Sequence, residues 1–159
     1  MRRTLRLLAF ALPVAAAACL GEDPIAPAPE IEEVTFAPAL GVDLAASTET
    51  STGLWYRDLA AGTGASLSTG DTAYVTYTGN FANGNRFDSG KFPFAIGRNA
   101  VIAGFDEGVR SMKVGGRRQL IIPPHLGYGP QWDMSGTIPP NSVLVFDVKL
   151  DSVKTPAPE

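Results

Sequence analysis

One stretch of this chain has the apolar period of an α-helix, and that scarcity restricts the fold more than any other feature. In Val101–Met112 the residues Ile102, Phe105, Val109 and Met112 recur at +3, +4 and +3, which makes a single buried stripe. Asp106, Glu107 and Arg110 lie off the stripe, and Gly115-Gly116 follow as a stop. Everything around this helix reads as strand. Gly53–Leu59 alternates and runs into the turn Ala60-Ala61-Gly62-Thr63-Gly64; Asp71–Thr78 is β-branched and aromatic between Gly70 and Gly79. Asn83-Gly84 is a hairpin signal, because both residues tolerate positive φ. Arg86-Phe87-Asp88 and Phe92–Ile96 read as short strands or extended loop, separated by Ser89-Gly90-Lys91. Arg117–Ile122 and Val143–Leu150 read as long strands, the second apolar on both faces and so central. Between them lies a long Pro/Gly/aromatic loop, residues 123–142, of a length that in compact domains is usually functional. Strands, one helix and more strands define an α+β domain over residues 51–153.

The ends differ from this domain. Arg2, Arg3 and Arg6 precede the apolar run Leu7–Ala18, which contains Pro13. That is the length of a signal-peptide core and too short for a permanent membrane span. Ala16-Ala17-Ala18-Cys19 resembles a bacterial lipoprotein signal, although Leu is usual where Ala16 stands, so Cys19 is expected to carry lipid. Cleavage at an Ala-x-Ala site in the same run is the plainer alternative. Residues 19–50 then form the attachment Cys and a Pro/Ala-rich tether, with Pro24, Pro27, Pro29 and Pro38 favouring an extended chain. Val34-Thr35-Phe36 and Leu40–Leu44 are more apolar, as an extension packed on the domain would be. Residues 154–159 are expected to form a disordered tail.

Composition removes several function classes. One His and one Cys exclude a Cys/His zinc site and a disulfide framework, and tie any Ser-His or Cys-His system to His125, beside which no acid stands. The net charge of −3 argues against nucleic acid as a partner. Loss of residues 1–18 would remove three Arg and no acid, leaving 10 basic and 16 acidic residues and a balance of −6. Contact with a membrane is therefore expected only through the lipid.

Taken singly, the aromatic residues of the domain read as core. Their arrangement suggests more. Val75-Thr76-Tyr77-Thr78-Gly79, Phe87-Asp88-Ser89, Phe92-Pro93-Phe94, Val101–Gly108 (VIAGFDEG), Met112–Gly116 (MKVGG), Tyr128-Gly129, Ile138–Asn141 (IPPN) and Leu144–Val148 (LVFDV) occur in one order. Together they resemble the FKBP-type peptidyl-prolyl cis-trans isomerases over residues 51–153. The resemblance implies a five- or six-stranded antiparallel sheet curved around one short helix, with a pocket between them. It implies catalytic roles for Tyr77, Phe87, Asp88, Phe105, Tyr128 and Phe146. Phe92, Val101, Ile102, Thr137 and Ile138 would bind substrate. Phe105 would form the floor, where the family most often has Trp, so macrolide inhibitors of the family should bind weakly. Pro130–Ser135, with Trp132, is unlike the family's common short loop, and substrate preference should differ there.

The implied activity is rotation about X-Pro bonds in exported proteins, by a monomer that needs no metal or cofactor. A non-catalytic module that docks proline segments, or a chaperone, would use the same pocket. The expected site of action is the periplasm, on an outer-membrane lipid anchor, or the cell surface of a one-membrane host.

Overall fold

The computed structural model describes residues 28–157. One antiparallel sheet contains β1 (Thr48–Glu49), β2 (Trp55–Ala60), β3 (Thr72–Phe81), β4 (Arg86–Ala95), β5 (Arg117–Ile122) and β6 (Leu144–Lys154). The strands lie in the order β1-β2-β5-β6-β3-β4, and α1 (Ala103–Arg110) crosses one face. This is the α+β architecture expected, and α1 is the only α-helix among the described residues.

Alternation along the central strands puts Ala73 and Val75 of β3, Leu120 and Ile122 of β5, and Leu144, Phe146, Val148 and Leu150 of β6 on the face that meets α1. The helix contributes Phe105 and Val109, and Met112 follows just beyond its end. Two glycines set how close it comes. A Cβ on Gly104 would stand 2.6 Å from Ile122, and one on Gly108 would stand 2.4 Å from Leu120. The helix therefore touches the sheet with bare backbone at these two points, and Phe105 and Val109 fill the space beside them.

Several sequence expectations change. Ser89-Gly90-Lys91 does not divide two strands: these residues pair with Thr78, Tyr77 and Thr76, so β4 is continuous. It is an edge strand, where Pro93 can face outward without losing a ladder bond. The helix is shorter than its apolar period, with Val101 and Ile102 forming its lead-in. Asp106 is buried rather than solvated, accepting from the Gly97 N–H at 2.9 Å and pairing with Arg110 at 2.5 Å. Arg118, a charged residue within β5, is nevertheless 5% exposed. It pairs with Asp58, donates to Gly108 O and Ser111 Oγ, and lies over the Tyr56 ring.

The extension expected from Val34-Thr35-Phe36 and Leu40–Leu44 packs on the domain, and it is longer than those two stretches. Residues 31–46 form three short 3₁₀ turns laid across the outer sheet face. Ile31 is buried there with Ile121, Val143 and Val145, and Val34, Phe36, Leu40, Val42 and Leu44 pack around them. Gln119 Nε2 and Arg57 grip two successive carbonyls, Leu40 O at 2.8 Å and Gly41 O at 2.6 Å. The Ala37 N–H also donates to Ala82 O in the β3–β4 hairpin. This strap explains why β6 reads as apolar on both faces: α1 covers one side of its first half and the strap covers the other. Residues 1–27, which hold the leader and the first part of the tether, lie outside the described residues, as do the final two.

Candidate functional site

Where α1 begins, the concave side of the sheet opens into a cavity of about 220 Å³. It is lined by Tyr77 from β3, Phe87, Asp88 and Phe92 from β4, Ala100, Val101 and Ile102 from the lead-in to α1, Phe105 from α1, Tyr128 from the long loop, and Phe146 from β6. All six residues assigned catalytic roles thus meet in one place, with Phe92, Val101 and Ile102 beside them.

Phe105 is the centre of the aromatic packing. Its ring lies edge-on to Phe146 at 5.2 Å, Phe94 at 5.7 Å and Tyr77 at 6.0 Å between centroids. Phe87 meets Phe146 edge-on at 5.5 Å. Such offset geometry suits ring quadrupoles and locks each ring against its neighbours. Phe105 is also 5% exposed and belongs to the main core, so floor and core are one residue here. The rings of Phe87 and Phe146 meet because Gly79 stands between them. Gly79 pairs with Asp88 on one side and Phe146 on the other, and its missing Cβ would lie 2.6 Å from Phe87 Cζ. A glycine within a strand pattern is the sequence signal that marks such an approach.

The polar edge is fixed by hydrogen bonds. Tyr77 Oη donates to Asp88 Oδ2 at 2.6 Å, and the Ser89 N–H donates to Asp88 Oδ1 at 2.8 Å. Both carboxylate oxygens are therefore held. Burial, then the hydrogen bond and charge of Asp88, push the Tyr77 hydroxyl up to about 12. Burial, then the charges of Asp133 and Asp88, also push Tyr128 above its ordinary value. Both hydroxyls keep their protons at neutral pH and remain donors.

Two further residues assigned to the site, Thr137 and Ile138, belong to the long loop beyond Tyr128. Ile138 is buried in the main core, and neither it nor Thr137 lines the cavity. Their backbone serves the turn built on Asp133, whose carboxylate accepts from the Thr137 N–H at 2.7 Å and the Ile138 N–H at 2.6 Å. The Ser135 N–H and hydroxyl donate to the same carboxylate. These donors, led by the Ile138 N–H, hold the Asp133 carboxyl down to about 2. The sequence reading missed this residue, although Asp with Ser two positions on is an Asx-turn signal. Ala100 and Gly79 were missed as well. Cys19 lies outside the described residues. His125 has a structural contact, its Nε2 lying 2.8 Å from Thr52 O. Among the described residues, no group of three or more His, Cys, Asp or Glu side chains is placed to hold a metal ion, and no helix is long and apolar enough to cross a membrane.

Comparison with known proteins places this geometry in a family. A sequence model of the FKBP-type peptidyl-prolyl cis-trans isomerases matches residues 64–151. FK506-binding protein 4 of Dictyostelium discoideum is 48% identical over 103 residues, covering 63% of this chain and 28% of that protein. FK506-binding protein 3 of Yarrowia lipolytica is 47% identical over 106 residues, covering 64% and 26%. The chain thus spans about a quarter of the length of these curated relatives. Among solved structures, FkpA from Escherichia coli has 39% identity and a TM-score of 0.62, with 69% of this chain and 52% of that one covered. AtFKBP13 has 33% identity and a TM-score of 0.63, with 68% and 98% covered. A peptidyl-prolyl cis-trans isomerase from Pseudomonas syringae has 26% identity and a TM-score of 0.68, with 85% and 99% covered.

Proposed function

This chain belongs to the FKBP-type peptidyl-prolyl cis-trans isomerases, and we propose that it accelerates rotation about X-Pro bonds in exported polypeptides, as a monomer without metal or cofactor. The observation that carries this reading is the cavity itself: Phe87, Phe105 and Phe146 enclose it, and tyrosine hydroxyls and one fixed carboxylate stand at its edge.

An X-Pro bond must give up amide resonance to rotate, against a barrier of ~18–20 kcal/mol. No bond to carbon breaks, so no nucleophile is required. The carbonyl oxygen carries less negative charge in the twisted amide than in the planar one. Water therefore stabilises the planar form more, and a dry aromatic cavity favours the twisted form relative to it. Phe87, Phe105, Val101, Ile102 and Phe146 seat the prolyl ring. Tyr128, exposed enough to reach a ligand and held protonated, donates to a substrate carbonyl, as does the Ile102 N–H. Asp88 is engaged by donors on both oxygens, which suits a fixed charge near the rotating amide better than a free base. Lowering the barrier by ~5 kcal/mol would speed rotation by nearly four decades.

A proline-limited refolding assay tests the reading. The wild type shortens the slow phase at substoichiometric amounts, and Phe87→Ala loses most of that effect. Phe87 suits the test because it is half-buried, whereas truncating Phe105 would cost ~3–5 kcal/mol of stability and confuse the result. A wild type that suppresses aggregation only at equal amounts, with the slow phase unchanged, would instead be a binder of proline segments. The Phe105 floor, smaller than the family's usual Trp and without an indole N–H, supports weak macrolide binding.

The leader supports export, with lipid on Cys19 and placement at the periplasmic face of an outer membrane, or on the surface of a one-membrane host. Metabolic labelling with a fatty acid tests this. Wild type takes up label and Cys19→Ala does not; equal labelling of the two would end the idea of an anchor at this position.

A further inference from the structure

Phe87 forms one wall of the cavity, yet its own ladder holds it loosely. In the β3–β4 pairing Gly79 faces Asp88 and Asn80 faces Arg86, so Phe87 stands opposite no residue of β3. It is the extra residue of a β-bulge, a device that re-aims a side chain and interrupts the ladder. Its ring meets Phe81 at 5.0 Å and Phe146 at 5.5 Å. Among the described residues β4 also ends the strand order, so no second ladder steadies the bulged stretch. Next to the bulge is the turn Ala82–Asn85, closed by the Phe81 N–H on Asn85 O and the Gly84 N–H on Phe81 O, both at 2.9 Å.

The strap supplies the missing restraint. The Ala37 N–H donates to Ala82 O at 2.8 Å. A Cβ on Gly84 would stand 3.1 Å from Ala37 Cβ, so strap and turn are in close contact. Ala37 is itself held from both sides. Phe36 and Leu40 pack on the outer sheet face, and the Leu40 carbonyl takes the Gln119 amide. Pro38 follows, which bars Ala37 from helical ψ and suits the 134° it adopts. A fixed segment thus grips the turn of a hairpin whose second strand carries Phe87 and Asp88. The strap lies outside residues 64–151, where the family model matches.

We propose that Ala37 is a positioning residue for the cavity: by pinning the β3–β4 turn to the strap it fixes the bulge, and with it the Phe87 wall and the Asp88 carboxylate. It touches no substrate and acts through the hairpin. The inference deepens the isomerase reading and rests on it for the effect on rate. That effect is about tenfold, below the ~100-fold that a 1 Å misplacement can cost, because Phe81 and Phe146 still confine the Phe87 ring.

The test is Ala37→Pro in the full chain. At φ −60° the position already has the backbone geometry of proline. The substitution therefore removes the N–H and sets a ring carbon against Ala82 O without straining residue 37. Ala37→Ser keeps the N–H and is the conservative variant. Ile31→Ala weakens the strap where it packs on Ile121 and Val145, away from the turn. Well below the melting transition, Ala37→Pro should lower kcat/KM on a short proline peptide about tenfold, while Ala37→Ser and Ile31→Ala stay near wild type. Hydrogen exchange at the Phe81 and Gly84 amides should quicken about tenfold in Ala37→Pro, the loss of one backbone hydrogen bond. Amides of the β3–β6 ladder around Val75 and Leu150 should hold, which shows that the variant is folded.

Unchanged exchange in the turn overturns the pinning, and faster exchange with wild-type kcat/KM overturns its link to the cavity. An equal fall of kcat/KM in Ile31→Ala overturns it too, since the strap would then act only through overall stability. A wild type that does not isomerise refutes the isomerase reading instead, and the exchange rates still decide whether Ala37 pins the turn.

Discussion

Gly79→Ala isolates the packing that makes the cavity. The added methyl would stand 2.6 Å from Phe87 Cζ and 2.8 Å from both Phe146 Cε1 and Phe87 Cε2. Ordinary carbon contacts begin near 3.5 Å, so the two rings must retreat by about 0.7–0.9 Å. Neither can do so freely, since Phe146 is already against Phe105 at 5.2 Å and Phe87 against Phe81 at 5.0 Å. Overpacking of this kind costs about 1–3 kcal/mol, which for a domain of this size lowers Tm by roughly 5–10 °C. The larger effect falls on catalysis, because the displaced rings are the cavity walls. A shift near 1 Å in a positioned group costs up to about 100-fold in rate, so kcat/KM on a proline peptide should fall about 10- to 100-fold. Gly90→Ala is the matched control. It lies on the neighbouring strand opposite Tyr77, with nothing within 4 Å of its absent Cβ. It should keep both Tm and activity. Circular dichroism melting and a peptide isomerisation assay on the two variants read the outcome. Gly79→Ala with wild-type Tm and kcat/KM would refute the close approach, and with it the account of how the walls are held.

Three further outcomes follow from other parts of the structure. Ile31→Ala should lower stability by about 2 kcal/mol, the small end for a buried Ile because the strap is a short segment on the outer sheet face; an unchanged urea midpoint would return the segment to a free tether. Tyr77 has a raised hydroxyl pKa, so its contribution is complete below the ordinary value of 10 and is lost as pH rises through about 12. Tyr77→Phe should therefore show less loss of stability than wild type between those values, and parallel melting curves across that window would refute the assignment. Asp133 has the opposite sign: its contribution is present above 3.8 and is lost as pH falls through about 2. Asp133→Ala at neutral pH should speed hydrogen exchange at the Thr137 and Ile138 amides, and unchanged protection there would show that the turn does not depend on it.

Much of the fold was legible because its pattern is local. The helix announced itself by period, and β3, β5 and β6 by β-branched runs between glycines. The pocket residues were legible only through resemblance, because a buried Phe in a strand looks the same whether it faces core or cavity. Where the reading failed, the cause lay in partners distant in sequence. Arg118 looks exposed until Asp58, Gly108 and Tyr56 arrive from other elements. Ser89-Gly90-Lys91 looks like a break until β3 supplies the ladder.

What the sequence determined alone was the element order and the α+β class, since periodicity is a property of the chain itself. Tertiary structure decided which face each residue serves. It laid residues 31–46 as a strap over β5 and β6, because apolar groups on that sheet face were otherwise left to water. It joined the Thr137 and Ile138 amides to the carboxylate of Asp133 in one turn, and it left Trp132 and Met134 exposed. Burial and contact depend on which segments meet, and no local pattern in a single chain carries that information.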